Sequence, residues 1–214
     1  MKASRLRPLF QKYLMPILPG FAFKGSIIYA EPIRYLLGGF SFDSAAHNKD
    51  GLRGYYFVQP LYVPKPYIYY TYARELTPGE VFTPENEAEI MEKFAVSIQR
   101  KGLPFLNSIK TPEDLARRAG RIADGNDTHV KEVIAYSWIL CCEYEKAKRE
   151  LSKLQRQIQR EIKRYPHLTW MVDDLACCER IQSDLNISPE TALKTLREWR
   201  IYTLTGLKLP ITEI

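Results

Sequence analysis

The stretch "ILCCEYEKAKREL", residues 139–151, decides how the second half of the chain folds. Before it, Ile134, Trp138 and Cys141 or Cys142 recur at helical spacing. After it, apolar residues return every three or four positions, which indicates one buried face of a second helix. The stretch therefore predicts a helix, a tight turn and another helix. The apolar face of the second helix consists of Ala147, Leu151, Leu154, Ile158 and Ile162.

The four cysteines occur in two adjacent pairs, Cys141 with Cys142 and Cys177 with Cys178. A zinc site usually separates paired ligands by two to four residues, so that both thiolates can turn toward one ion. Adjacent residues of a helix instead point about 100° apart. A metal site and a redox pair stay open as alternatives. The pattern favours buried packing, because cysteine is a good small core residue.

The hairpin resembles the tetratricopeptide type of helical repeat. A second hairpin is predicted from residue 170 onward, with Ser188 as an N-cap and Pro189 as the first helical residue. The equivalent residues Ala147 and Ala192 are 45 residues apart, whereas the repeats of this family are usually ~34 residues long. The resemblance implies a scaffold of helical hairpins over residues 130–205. The residues that carry it are Trp138, Leu140, Cys142, Tyr144 and Ala147, with Ala192 and Leu196 in the second hairpin.

The first half of the chain predicts a helix followed by an antiparallel sheet. Four stretches, 20–32, 34–45, 52–64 and 67–78, are rich in Tyr, Phe, Ile and Val and are bounded by turn residues. No helical pattern separates them, so the strands should pair antiparallel. The face of the opening helix consists of Leu6, Leu9, Phe10, Tyr13 and Leu14.

Near residue 84 the pattern changes to helix, and Thr111 is predicted to cap one helix there. We therefore expect an α+β protein, with an N-terminal helix on an antiparallel Tyr-rich sheet and an all-helical C-terminal part of helical hairpins. The predicted domains are 1–84 and 85–214, which can also form one continuous domain.

Residues 1–72 also resemble a bacterial family of unknown function. Its members open with a helix and a small antiparallel sheet, and the likeness is carried by Gly20, Phe21, Lys24 and Gly25. Some relatives of that kind are immunity proteins that neutralise toxins. The resemblance implies a binding function and transfers no catalytic residue.

Composition and motifs point away from several kinds of enzyme. There is no phosphate loop, no dinucleotide-binding glycine pattern, no metalloprotease motif and no nucleophile elbow. The three histidines, His47, His129 and His167, fall in different predicted regions. Asp173 and Asp174 should diverge on a helix, and the segment 124–129 predicts a turn with an N-cap. We expect no catalytic residue, no metal and no cofactor.

The charge of the chain is mildly positive, with a net charge of +6. Residues 1–84 contain ten Lys and Arg against five Asp and Glu. The opening segment lacks the features of a secretory signal, and no apolar run is long enough for a membrane helix. A cytoplasmic protein without a membrane partner is expected.

Two sets of residues are candidates for binding a partner. One is a basic stripe that steps by four, three, four and three along a predicted helix, for which a solvated face is the alternative. The other is a pair of tyrosines on one face of a predicted strand. The candidates are Arg149, Lys153, Arg156, Arg160 and Lys163 in the stripe, and Tyr67 and Tyr69 on the strand.

These features predict a protein-interaction module, an immunity, defence or adaptor protein that buries a partner's surface. The partner is expected to be a protein. The first alternative is a nucleic-acid-binding protein that uses the helix face 149–163. The second alternative is an unrecognised hydrolase or nuclease, which would need a histidine within reach of an acid.

Overall fold

The computed structural model describes residues 3–45, 48–83, 85–125 and 127–213, so His47 lies outside the described residues. The predicted α+β class is confirmed by an antiparallel sheet and a series of helices. The chain divides into two compact units. One consists of Met1–Gln59, Tyr72–Lys110 and Thr212–Ile214, and the other of Pro60–Thr71 and Thr111–Ile211.

The sheet of the first unit has five strands in sequential order, one more than the sequence predicts. The stretch predicted as one strand over 20–32 is a hairpin, because its chain reverses at Gly25 and Ser26. Gly25 has a φ of 62°, a left-handed conformation that glycine adopts at little cost. The strands are β1 (Phe21–Lys24), β2 (Ile27–Ala30), β3 (Leu36–Ala45), β4 (Asn48–Pro60) and β5 (Ala73–Val81).

Helices pack on this sheet through an aromatic core. The predicted opening helix is confirmed, as α1 (Ala3–Leu9) and a π-helical turn over Phe10–Leu14. The ring of Phe42 in β3 lies 4.8 Å from that of Phe10 and 5.3 Å from that of Phe94, centroid to centroid. The later helices of this unit are α2 (Glu87–Ser97), with a π-helical turn after it, and α3 (Leu103–Asn107).

The boundary between the compact units lies after Lys110, whereas the predicted boundary is at residue 84. The apolar face of α2, with Ile90, Met91 and Phe94, is buried in the same core as α1 and the sheet. Burial of that face keeps residues 87–107 with the strands, although the sequence pattern turns helical before them. The position at which the chain changes from strands to helices is thus not the position at which one unit ends and the next begins.

The second unit is a series of helices, each of which packs on the next, with α8 also in contact with α5. The predicted N-caps are confirmed: Thr111 forms a capping box with Asp114, Asp127 accepts from the His129 amide, and Ser188 accepts from the Thr191 amide. No helix within the described ranges has both the length and the apolar character needed to cross a bilayer. The helices are α4 (Pro112–Ile122), α5 (Thr128–Leu140), α6 (Tyr144–Arg164), α7 (Trp170–Ile187) and α8 (Pro189–Gly206).

The segment 60–71 belongs to this helical unit, and the strand predicted from residue 67 is wrong in its first part. Pro64 and Pro66 lack the N–H that a strand would use in its ladder. The segment is held by side chains instead: the Tyr62 hydroxyl lies 2.5 Å from Ser137 Oγ, and Thr203 Oγ1 donates to the Val63 carbonyl at 3.0 Å. β5 begins only at Ala73.

Candidate functional site

Tyr67 and Tyr69 do not form a sheet surface, which corrects the prediction made for them. Both lie in the irregular segment before β5. The ring of Tyr69 packs against the imidazole of His129, with centroids 4.2 Å apart. Tyr67 is 53% exposed and lines a cleft of the helical unit. The two tyrosines therefore have different roles, one in packing and one at a surface.

This cleft, the aromatic cleft, has a volume of about 600 Å³. Three of its aromatic side chains are half-exposed: Tyr67 at 53%, Trp170 at 48% and Tyr202 at 53%. Trp170 begins α7 and Tyr202 lies in α8, so residues far apart in the chain converge on one surface. The residues used below to define the cleft are Pro64, Pro66, Tyr67, Trp170, Trp199 and Tyr202.

Ionisable groups also line the aromatic cleft. Lys65 Nζ lies 2.7 Å from Asp174 Oδ1, with side chains 18% and 8% exposed, and Arg180 pairs with Glu198 at 2.8 Å. Among the described residues, Asp173 forms no ion pair, and its side chain is exposed. Asp173 and Asp174 thus diverge as predicted. The cleft combines apolar rings, two internal ion pairs and one carboxylate that faces solvent.

The pKa values of the buried pair reflect its burial. Burial and the negative charge of Glu132 raise the pKa of Asp174, and the hydrogen bond from Lys65 offsets this only in part. For Lys65, burial lowers the pKa, but Glu132 and Asp174 together reverse this and leave it raised. The cleft is therefore supported by charged groups that are partly removed from water.

A histidine does lie near an acid in this unit. His129 Nδ1 is 3.3 Å from Glu132 Oε2, and the Tyr136 hydroxyl donates to Glu132 Oε1 at 3.2 Å. All three side chains are buried, and none of them lines the aromatic cleft. His167, the other described histidine, is exposed after α6, where its ring contacts Tyr165.

The five residues of the basic stripe all lie on the exposed face of α6. Four of them line a second cleft, the basic cleft, of about 540 Å³. The structure adds Lys131, which the sequence prediction missed because it belongs to α5 and has no place in the periodicity of α6. The cationic lining of the basic cleft consists of Lys131, Lys153, Arg156, Arg160 and Lys163.

The cysteines are all free thiols, and their environments differ. Cys178 is buried as predicted, whereas Cys142 is exposed. Burial raises the pKa of Cys141 and of Cys177 to about 11, and that of Cys178 to about 12. Within the described part of the chain, no group of three or more His, Cys, Asp or Glu side chains is placed to hold a metal ion. Cys141, Cys177 and Cys178 therefore stay protonated near neutral pH.

No model of a known protein family, no curated protein and no solved structure matches this chain.

Proposed function

We propose that this protein is a non-catalytic protein-interaction module that holds a segment of a partner protein in the aromatic cleft. The observation that carries the proposal is the convergence of Tyr67, Trp170 and Tyr202 on one cleft while about half of each side chain remains exposed. Tyr and Trp are enriched in protein interfaces and in the residues that dominate their binding energy. They bury a large area and lose few rotamers.

The charges of the cleft define the segment that it fits. Lys65 with Asp174 and Arg180 with Glu198 balance each other within the cleft. Asp173 leaves one net negative charge beside the rings. A partner segment that carries an aromatic or aliphatic side chain next to a Lys or Arg would satisfy both the apolar walls and this carboxylate. The cation would also gain from contact with the faces of the rings.

Binding accounts for these residues better than catalysis does. Hydrolysis would need a base that a substrate can approach, and His129 and Glu132 are buried away from the aromatic cleft. An immunity or adaptor protein acts by covering a surface of its partner rather than by chemistry. Burial of the aromatic cleft against a partner would have this effect.

Affinity purification from the native cell tests the proposal when wild type is compared with a cleft variant. The tagged full chain and the variant W170A/Y202A are purified after nuclease treatment, and the recovered proteins are measured by mass spectrometry. We expect one protein to be recovered with wild type and lost with the variant. With that protein purified, each alanine substitution should weaken binding about 30-fold, as for a residue worth about 2 kcal/mol at an interface.

The matched control is Y165A, because Tyr165 is an exposed aromatic residue outside the aromatic cleft. It should recover the partner as wild type does. Circular dichroism of each variant establishes that it is folded. If the folded W170A/Y202A recovers the same proteins as wild type, the aromatic cleft is not the binding site and the proposal fails.

A further inference from the structure

The basic cleft carries an excess of positive charge that the rest of the helical unit does not neutralise. Among the described residues, Lys131, Arg156, Arg160 and Lys163 form no ion pair, and Lys153 pairs only with Glu150, at 2.7 Å. The guanidinium Nε atoms of Arg156 and Arg160 donate to backbone carbonyls one turn earlier, at 3.0 and 3.2 Å. These bonds fix the stems along the helix and leave the other guanidinium N–H groups for a ligand.

A second acid on α6, Glu161, is held by other hydrogen bonds. Glu161 accepts from Thr128 Oγ1 at 2.9 Å and from Gln157 Nε2 at 2.6 Å. The side-chain oxygen of Gln157 accepts in turn from Lys131 Nζ. This network links α5 to α6, holds Lys131 in the lining and occupies the carboxylate of Glu161. The basic cleft therefore presents five cations with little compensation.

We infer that the basic cleft binds the phosphate backbone of a single-stranded nucleic acid, an activity separate from the proposed capture of a protein segment. From Lys153 to Lys163 the cations of the cleft extend over about 15 Å of α6, at about 1.5 Å per helical residue. Cations repeated at this spacing along a straight line can follow a chain of phosphates. Arginine also forms two parallel hydrogen bonds with a phosphate group.

Aromatic rings at the end of α6 favour a nucleic acid over an acidic protein. Tyr165 and His167 are exposed and directly follow the helix that carries the stripe. Their rings meet edge to face with centroids 6.3 Å apart, and Arg164 lies 5.2 Å from the Tyr165 centroid. Aromatic rings beside a positively charged groove are what proteins use to stack successive bases of a single strand. An acidic peptide would be held chiefly by the cations, whereas a single strand also uses the face of a ring for stacking.

Fluorescence anisotropy of a labelled oligouridine with the purified full chain tests the inference across a range of salt concentrations. Lys153 pairs with Glu150, so we count one phosphate contact for each of the four other cations of the cleft. Four contacts predict a slope of log affinity against log salt of about −2.8, so affinity should fall about 50-fold between ~50 and ~200 mM salt. The variant R156Q/R160Q removes two of these contacts and should make the slope shallower, at about −1.4. Y165A should weaken binding at least about fivefold and leave the slope unchanged.

The variant K146Q/K148Q is the matched control, because it removes two positive charges from the same helix outside the basic cleft. Lys146 and Lys148 pair with Glu143 and Glu145 instead of lining it. It should keep the wild-type slope. The inference fails if oligouridine does not bind at ~50 mM salt, or if both double variants reduce the slope equally. It also fails if polyglutamate competes as well as oligouridine and Y165A has no effect, which would assign the cleft to an acidic protein.

Discussion

At the scale of single residues, Cys142 explains how the hairpin at the centre of the sequence turns. Its φ is 60°, in the left-handed region. Its N–H donates to the Ile139 carbonyl at 3.0 Å, and the Glu143 N–H donates to the Trp138 carbonyl at 2.9 Å. These two bonds form a Schellman motif, in which glycine usually occupies the left-handed position. A side chain there costs about 1–2 kcal/mol.

Replacing Cys142 with glycine should stabilise the protein. The substitution removes the contact between Cβ and the backbone, and the greater freedom of glycine in the unfolded chain offsets part of the gain. We expect C142G to raise the free energy of unfolding by about 1 kcal/mol, as measured by urea denaturation. C142A keeps the Cβ and should not share this gain, so equal stability of C142A and C142G would contradict the explanation.

At the scale of secondary-structure elements, the start of α4 is set by side chains that the sequence already shows. Thr111 Oγ1 accepts from the Asp114 amide at 3.1 Å, and an Asp114 carboxylate oxygen accepts from the Thr111 amide at 3.0 Å. Each side chain satisfies a backbone N–H that the helix cannot. This reciprocal arrangement is local, and it explains why the cap could be predicted from the sequence.

Replacing Thr111 with alanine should destabilise α4. The Asp114 N–H would lose its partner, and we expect T111A to lower the free energy of unfolding by about 1 kcal/mol in chemical denaturation. T111S retains a hydroxyl at the same place and should stay close to wild type. A T111S variant as unstable as T111A would show that the methyl group, rather than the cap, supports the helix.

Some elements were predicted in the wrong place because residues outside them determine where they lie. Residues 67–72 have the composition of a strand, but the prolines before them and the anchors of Tyr62 and Val63 on the helical unit draw the chain away from the sheet. The sequence predicts one strand where β1 and β2 form a hairpin, because two short runs with similar composition flank Gly25. Strand propensity marks apolar, half-buried chain and does not say which surface buries it.

At the scale of the whole molecule, the buried pair of Lys65 and Asp174 should make stability depend on pH. Asp174 has a raised pKa because burial and Glu132 outweigh the attraction of Lys65. The folded protein therefore retains this proton to a higher pH than the unfolded chain, in which aspartate has a pKa of about 3.9. Wherever the folded state binds more protons, stability falls as the pH rises.

We expect the free energy of unfolding of wild type to fall relative to D174N as the pH rises from about 4 through the raised pKa of Asp174. The difference should change by up to about 1.4 kcal/mol for each pH unit in that window and should then level off. Urea denaturation of both proteins across this range measures it. A difference that grows in favour of wild type would mean that Lys65 lowers the pKa of Asp174 and that the attraction of the pair dominates.

The candidate site could be predicted only in part. The stripe on α6 was visible because its residues share one helix, and the structure confirms that all five are exposed. Tyr67 is exposed as predicted, but it lies in the irregular segment before β5, which begins only at Ala73. Trp170, Tyr202 and Lys131 were missed as site residues, since each lies on a different element from the residues that it joins.

The α+β class, the positions of the long helices and their caps all follow from the sequence alone. Periodicity and capping depend on residues within a few positions of one another, so the local sequence encodes these features. Three features depend on the folded chain as a whole: α2 packs with the sheet, the tyrosine-rich segment lies on the helices of its own unit, and two clefts form. Those outcomes depend on which apolar and charged surfaces meet once distant parts of the chain are folded together, and no local pattern specifies that choice.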